Sequence, residues 1–141
     1  MKARVVLAAV GVLVVVGLPL AGKWMRRHQP PECARDGLPI DALYRVRVDG
    51  GADESFEFCC IDCAALWLDQ RAATGAAVYV TDEAGTGEVD ARAAHFVRSS
   101  VVTNPVTGNR VHAFRDLSAA QEHARAFHGQ VLHGAARPFG E

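Results

Sequence analysis

The chain has 141 residues, half of them hydrophobic and 22% charged, with a formal net charge of −1; this length suits one domain plus a short appendage. From Pro30 onward, 10 Arg and no Lys stand against 16 Asp and Glu, so this part is acidic and lacks the basic face that nucleic acid requires. Nucleic acid is excluded as a partner on that ground, and no internal repeat or low-complexity segment suggests an array.

Residues 1–23 are expected to form a membrane anchor or signal-anchor. Val5 to Gly22 run without a charge between Lys2 and Arg4 on one side and Lys23, Arg26 and Arg27 on the other, and about 18–20 apolar residues span a bilayer. A cleavable signal peptide is the alternative, because Leu18-Pro19-Leu20-Ala21-Gly22 ends in small residues; Lys23 stands where a lipidated cysteine would sit. An N-terminal segment of this shape exports the chain behind it, so the C-terminal domain is expected in the periplasm or another extracytoplasmic space. Residues 24–32 read as a tether at the membrane surface, where Trp24 and neighbouring cations are at home. The domain proper is expected over 33–141.

Its first feature is Cys33-Ala34-Arg35-Asp36-Gly37-Leu38-Pro39, a turn or knuckle by its Gly and Pro. From Ala42 to Val48, Tyr44, Val46 and Val48 alternate with Arg45 and Arg47, which predicts a half-buried strand. A turn over 49–53 and a returning strand over 55–58 complete a hairpin. Asp62 is placed to cap a helix from Cys63 to about Thr74, stopped by Gly75, with Cys63, Leu66, Trp67 and Gln70 on one face. A strand over 76–81 follows, then an acidic turn over 82–88 that lacks the ligand spacing of a calcium loop and reads as a solvated connection. Residues 90–96 predict a brief helical turn, 99–103 a strand, 104–109 a turn by composition and 110–114 another strand. Ser118-Ala119-Ala120-Gln121 is a capping box opening a helix to about His128, ended by Gly129, with Ala120, Ala124 and Phe127 inward and His123 beside them. A short strand over 130–133 closes the chain. These elements predict an α+β domain with a mainly antiparallel sheet and two principal helices, preceded by one N-terminal transmembrane helix.

Three of the four cysteines fall within five positions, Cys59, Cys60 and Cys63, and the fourth is Cys33. A disulfide between the neighbours Cys59 and Cys60 is strained, so clustering favours a metal or redox centre over structural bridges. Thiolates are soft ligands for Cu(I), Zn(II) and Hg(II) and bind deprotonated. Cys60-x-x-Cys63 leads from a strand end into a helix's first turn, where the dipole favours thiolate, and Cys33-x-x-Asp36 supplies a second pair. A distant knuckle, a hairpin and then Cys-x-x-Cys entering a helix is the layout of treble-clef metal sites. The thioredoxin-type redox reading lacks its βαβ context. His95, His112, His123, His128 and His133 are scattered without ligand spacing, and Met25 is the only methionine beyond the initiator, so a thioether copper site is not available.

From Cys33 to Phe139 the order of motifs resembles NosL, the copper-accessory family of nitrous oxide reductase maturation. The matching stretches are Cys33-x-x-x-Gly37-Leu38, Val80-Thr81-Asp82, Ala94-His95-Phe96-Val97 with Ser99-Ser100, and Ala113-Phe114 ahead of the helix ending His128-Gly129. The resemblance implies an exported, membrane-attached Cu(I)-binding protein. Asp36 stands for the second cysteine and Leu38 for the methionine of the family's Cys-x-x-Cys-Gly-Met pattern, and Val106 stands where a later methionine is common; copper would then need thiols from 59–63. Organomercurial lyases share that fold family, and Cys33-Ala34-Arg35-Asp36 is similar to their catalytic Cys-x-x-Asp. That likeness implies a thiolate at Cys33 and a proton carrier at Asp36, with another thiol from 59–63, because 107–110 before His112-Ala113-Phe114 holds no cysteine. Phe56-Glu57-Phe58-Cys59-Cys60-x-x-Cys63 also resembles small heavy-metal-binding treble-clef modules.

The expectation is therefore a membrane-anchored soft-metal accessory protein that binds and delivers Cu(I), with no catalytic residue assigned. Cys33, Cys60 and Cys63 rank first as ligands, and Asp36 and Cys59 come next. The alternatives are a lyase-like enzyme cleaving carbon–mercury bonds and a structural Zn(II) domain. Expected partners are the membrane, the metal ion and a recipient metalloprotein.

Overall fold

The computed structural model describes residues 30–51, 54–71, 75–85 and 87–139. The apolar run at 5–22 lies outside them; among the described residues no helix is long and apolar enough to cross a membrane.

The knuckle comes first. Its ends pair through a bridge between Glu32 and Pro39, and the Cys33 amide donates to Leu38 O while Gly37 N–H returns to Cys33 O. Gly37 makes that tight return possible with φ +72. A 3-10 turn, Ala42–Tyr44, capped by the Asp41 carboxylate on Leu43 N–H at 2.9 Å, replaces the first half of the strand predicted from Ala42. Strand β1 then runs Val46–Gly51 and returns as β2, Glu54–Phe58. The alternation operates as read: Val46 and Val48 are buried, while Arg47 and Asp49 lie on the wet face. Strand β3, Ala77–Thr81, adds in register, Val46 opposite Val80 and Val48 opposite Val78. Strand β4, Glu88–Asp90, follows it. The result is a four-stranded antiparallel sheet in the order β2-β1-β3-β4. On its outer face Arg47 pairs with Asp49 and Glu88 and lies 4.3 Å over the Tyr79 ring.

Helix α1, Ile61–Arg71, covers the inner face. Its buried residues are Ile61, Cys63, Ala64 and Trp67, and the Trp67 ring sits 4.7 Å from Phe56 and 5.3 Å from Phe58. The helix starts two residues earlier than predicted. Ala64 N–H bonds to Cys60 O at 3.3 Å, so Cys60 precedes the first helical residue and Asp62 lies inside the first turn as an anion facing the dipole. The buried residues follow Ile61, Ala64 and Trp67, and of the predicted face only Cys63 and Trp67 are buried, while Leu66 and Gln70 point to solvent.

A second, three-stranded antiparallel sheet stands where a single sheet was expected. It comprises β5 (His95–Arg98), β6 (Val111–Phe114) and β7 (Gln130–Leu132), ordered β6-β5-β7. The helical turn predicted at 90–96 is present over its first half, where Ala93 and Ala94 N–H donate to Asp90 O at 2.9 and 3.0 Å; β5 takes over at His95 and replaces the strand predicted at 99–103. Phe96 and Val97 are both fully buried, because one face meets the main core and the other meets helix α2, Leu117–Ala126. A strand covered on both faces has no alternation to read.

Helix α2 begins at Leu117 with Asp116 as N-cap and no side-chain cap bond, so the predicted box at 118–121 lies within its first turn. At its other end His128 takes the left-handed position at φ 51, and Gly129 N–H closes on Ala124 O at 2.8 Å, a Schellman-type ending. Gly129 is required for a different reason: a Cβ there would lie 2.8 Å from Arg98 O and 2.9 Å from Ser99 Cβ.

The acidic turn joins the two sheets. Glu83 N–H donates to Ala113 O at 3.0 Å and Glu83 Oε1 accepts Ala113 N–H at 3.1 Å. Its other oxygen meets the buried His112 Nδ1 at 2.7 Å, and His112 Nε2 lies 3.2 Å from Val101 O. The buried Asp82 accepts Arg115 N–H at 3.2 Å. These two carboxylates are thus committed to β6 and its continuation rather than to solvent.

Candidate metal centre

The knuckle reaches the rest of the domain through Ala34 N–H, which donates to Glu57 O of β2 at 2.8 Å. This single backbone bond lays the Cys33–Asp36 run beside the end of the hairpin. Strand β2 stops at Phe58, and the chain bends through Cys59 and Cys60 into α1. The two adjacent thiols therefore escape the strict alternation of a strand, and Cys63 follows in the helix's first turn.

The four donor atoms of Cys33, Asp36, Cys59 and Cys63 lie within 4.8 Å of one another. Cys59 Sγ is 3.7 Å from Cys63 Sγ and 3.8 Å from Asp36 Oδ2; Cys63 Sγ donates to Asp36 Oδ2 at 3.1 Å. The three thiols are buried and Asp36 is exposed. All four cysteines of the chain are free. Cys60 lies outside this group. Its Sγ is 3.9 Å from Cys59 Sγ and 3.5 Å from Thr107 Oγ1, and it is wholly buried. Of the five residues picked from spacing, the structure thus gathers Cys33, Asp36, Cys59 and Cys63 and sets Cys60 just behind them, against the ranking that preferred Cys60 to Cys59. None of the described histidines joins the group.

The electrostatics are those of a protonated thiol pocket over an ionised carboxylate. Burial, together with the neighbouring Cys60, pushes the Cys59 thiol up to about 12. Burial and the adjacent Asp36 carboxylate raise Cys63 further. Partial burial alone would raise Asp36, but hydrogen bonds from the Cys63 and Cys33 thiols and from Leu38 N–H outweigh it and hold the carboxyl below its ordinary value. Arg35 Nη1 stands 4.0 Å from Cys63 Sγ, adding a positive charge on the open side.

The loop 104–109 of the second sheet forms the outer wall. Asn104 and Asn109 pair as a bridge, and Gly108 N–H donates to Asn104 O at 2.8 Å. Asn104 Nδ2 donates to Cys59 Sγ at 3.3 Å. Two clefts open on either side of this loop. One is lined by Asp36, Cys63, Leu66 and Thr107, the other by Leu38, Cys59 and Asn104, and Val106 borders both. Sequence reasoning took this loop for a turn and missed its approach to the thiols. The contact joins residues 45 positions apart, and turn composition carries no signal of such a partner.

Chemically, three buried thiols and one carboxylate make a donor set for a soft metal ion. Two thiolates on one tetrahedral ion with metal–sulfur bonds of about 2.3 Å stand about 3.8 Å apart, close to the 3.7 Å between Cys59 and Cys63.

Neither a protein-family profile nor a curated protein sequence matches the chain. Among solved structures, it is similar to the copper chaperone NosL from Shewanella denitrificans, with a TM-score of 0.59 and 18% sequence identity over 74% of this chain and 87% of that one. The knuckle, the hairpin, the two helices and the two antiparallel sheets together form a NosL-like fold.

Proposed function

We propose that this protein is a soft-metal accessory protein that binds Cu(I) through Cys33, Cys59 and Cys63, with Asp36 as the outermost donor, and hands the ion to a recipient protein. The observation that carries the reading is the convergence of three buried, unbridged thiols and a carboxylate from two distant segments. Thiolate softness favours Cu(I) over harder ions, and the structural neighbour is a copper chaperone. Zn(II) is the competing cargo, since a carboxylate completes a four-donor site that it also accepts.

The chain's own groups support loading from the open side. A thiol must lose its proton to bind, and the proton of Cys63 has an acceptor 3.1 Å away in Asp36. Asp36 is exposed and can pass that proton to water, so the group that receives it also reaches solvent. The apolar run at 5–22 supports attachment to a membrane, with the domain on the extracytoplasmic side.

The test is competition with a chelator of known affinity, using reduced protein from Trp24 onward under anaerobic conditions. Wild type is expected to take one Cu(I) and the Cys59→Ser, Cys63→Ser double variant none. Equal binding by both sinks the reading. Tighter Zn(II) than Cu(I) competition, together with an apo form that is unfolded, would reassign the centre as structural zinc.

A further inference from the structure

The loop 104–109 does more than wall the thiols; we propose that Asn104 is a positioning residue that selects Cys59, rather than its neighbour Cys60, as the donor presented to the ion. This deepens the soft-metal reading above and rests on it. Two adjacent cysteines after a strand offer two competing donor sets, because either one, with Cys33 and Cys63, would make three thiolates.

The geometry separates them. Asn104 Oδ1 accepts two backbone amides, Val106 N–H at 2.9 Å and Thr107 N–H at 3.2 Å. Those bonds fix which end of the side-chain amide faces the loop, so its NH₂ must face the other way, and there it meets Cys59 Sγ at 3.3 Å. The loop carrying it is itself braced. Thr103 N–H donates to Asn109 O at 2.9 Å, and the buried Asn109 sends its side-chain amide to Thr103 Oγ1 and, at 3.0 Å, to Val111 O. The donor is therefore held before any ion arrives. Thr107, three residues on, engages the other thiol: its hydroxyl lies 3.5 Å from Cys60 Sγ, a wholly buried sulfur outside the four-donor group.

An N–H aimed at sulfur gives a coordinated thiolate a charge-assisted hydrogen bond, and at 3.3 Å Asn104 offers it to Cys59 in particular. Partners of this kind around a ligand typically alter metal affinity by about 10- to 100-fold. Asn104→Asp is the discriminating variant, because its carboxylate still accepts the Val106 and Thr107 amides while losing the donor to Cys59.

With Co(II) as a spectroscopic probe in reduced protein, wild type and Cys60→Ser are expected to give the same sulfur-to-metal charge-transfer intensity, and Cys59→Ser about a third less. Asn104→Asp should weaken Co(II) by about 10- to 100-fold at an unchanged apo melting temperature. Thr107→Val, which disturbs the same loop beside a sulfur that is not a donor, should stay within about twofold. Equal losses in Asn104→Asp and Thr107→Val, or an intensity drop in Cys60→Ser matching that in Cys59→Ser, overturn the proposal. A metal-free measurement separates it from the parent reading: in apo protein the Asn104 side-chain amide signals should move in Cys59→Ser and not in Cys60→Ser. If they do while wild type binds no Co(II) or Cu(I), the metal reading fails and the pairing stands; if they move in neither variant, the pairing is refuted whatever the metal does.

Discussion

Cys59 and Cys60 are neighbours in sequence with opposite surroundings. The first faces a carboxylate, the thiols of Cys33 and Cys63 and an amide; the second lies behind them, against a threonine hydroxyl and 3.9 Å from Cys59 Sγ. Substituting them should therefore have unequal effects. Cys59→Ser is expected to lower Cu(I) affinity by at least tenfold and Cys60→Ser to change it by less than about threefold, as read by chelator competition. Asp36→Asn should weaken binding less than loss of a thiol but slow loading, since the acceptor for the Cys63 proton is gone; stopped-flow loading rates check this. Cys33, Asp36 and Cys63 were legible from spacing alone, as two short pairs at a knuckle and a helix start. The choice between Cys59 and Cys60 was not, because it depends on where β2 ends and on a loop 45 residues away. The bond of His112 to Glu83 is tertiary and left no trace in the sequence.

Strands with one wet face were legible from their alternation, and the strand covered on both sides was not. The β1–β2 hairpin shows its alternation, and β2 begins one residue early and ends at Phe58 as expected, whereas β1 runs Val46–Gly51 in place of 42–48. Strand β5 is double-sided, so its placement was missed. The boundary of α1 was shifted because the peptide carbonyl of Cys60 starts the helix before the obvious capping residue. Trp67 is the main link between α1 and the hairpin, 7% exposed against Phe56 and Phe58. Trp67→Ala is expected to cost about 3–5 kcal/mol, measured by chemical denaturation, and to weaken metal binding by loosening the helix that carries Cys63. Gly129→Ala, with its methyl driven into the Arg98 carbonyl, should destabilise by about 1–3 kcal/mol with no change in metal affinity, since α2 lies on the other sheet.

For the molecule as a whole, the buried thiols make stability depend on pH. Folding raises the Cys59 thiol from the ordinary 9.0 to about 12 and Cys63 still further. The folded state therefore keeps protons that the unfolded chain gives up, and its stability is full below pH 9 and falls as pH rises from 9 towards 12. Reduced apo protein should show a denaturation midpoint that drops steadily across that window. With a soft metal bound the dependence on pH reverses at neutral pH: loading expels at least the protons of Cys59 and Cys63, so affinity climbs with pH, which titration at several pH values would show. At the other end, Asp36 sits below its ordinary 3.8, so its contribution is present above that value and is lost on acidification.

The attachment of the knuckle sets how an ion could leave. Strand β2 is an edge of its sheet, and one backbone bond, from Ala34 to Glu57, ties the knuckle to it. Cys33 and Ile40 are also buried in the main core, so Cys33 and Asp36 would swing out together only if that bond and this packing opened at once, halving the coordination in one step while Cys59 and Cys63 stay on the scaffold. Release would then be governed by a hinge rate and not by the successive breaking of four equal bonds. An incoming thiol on another protein would need only to catch the ion during that brief two-coordinate interval.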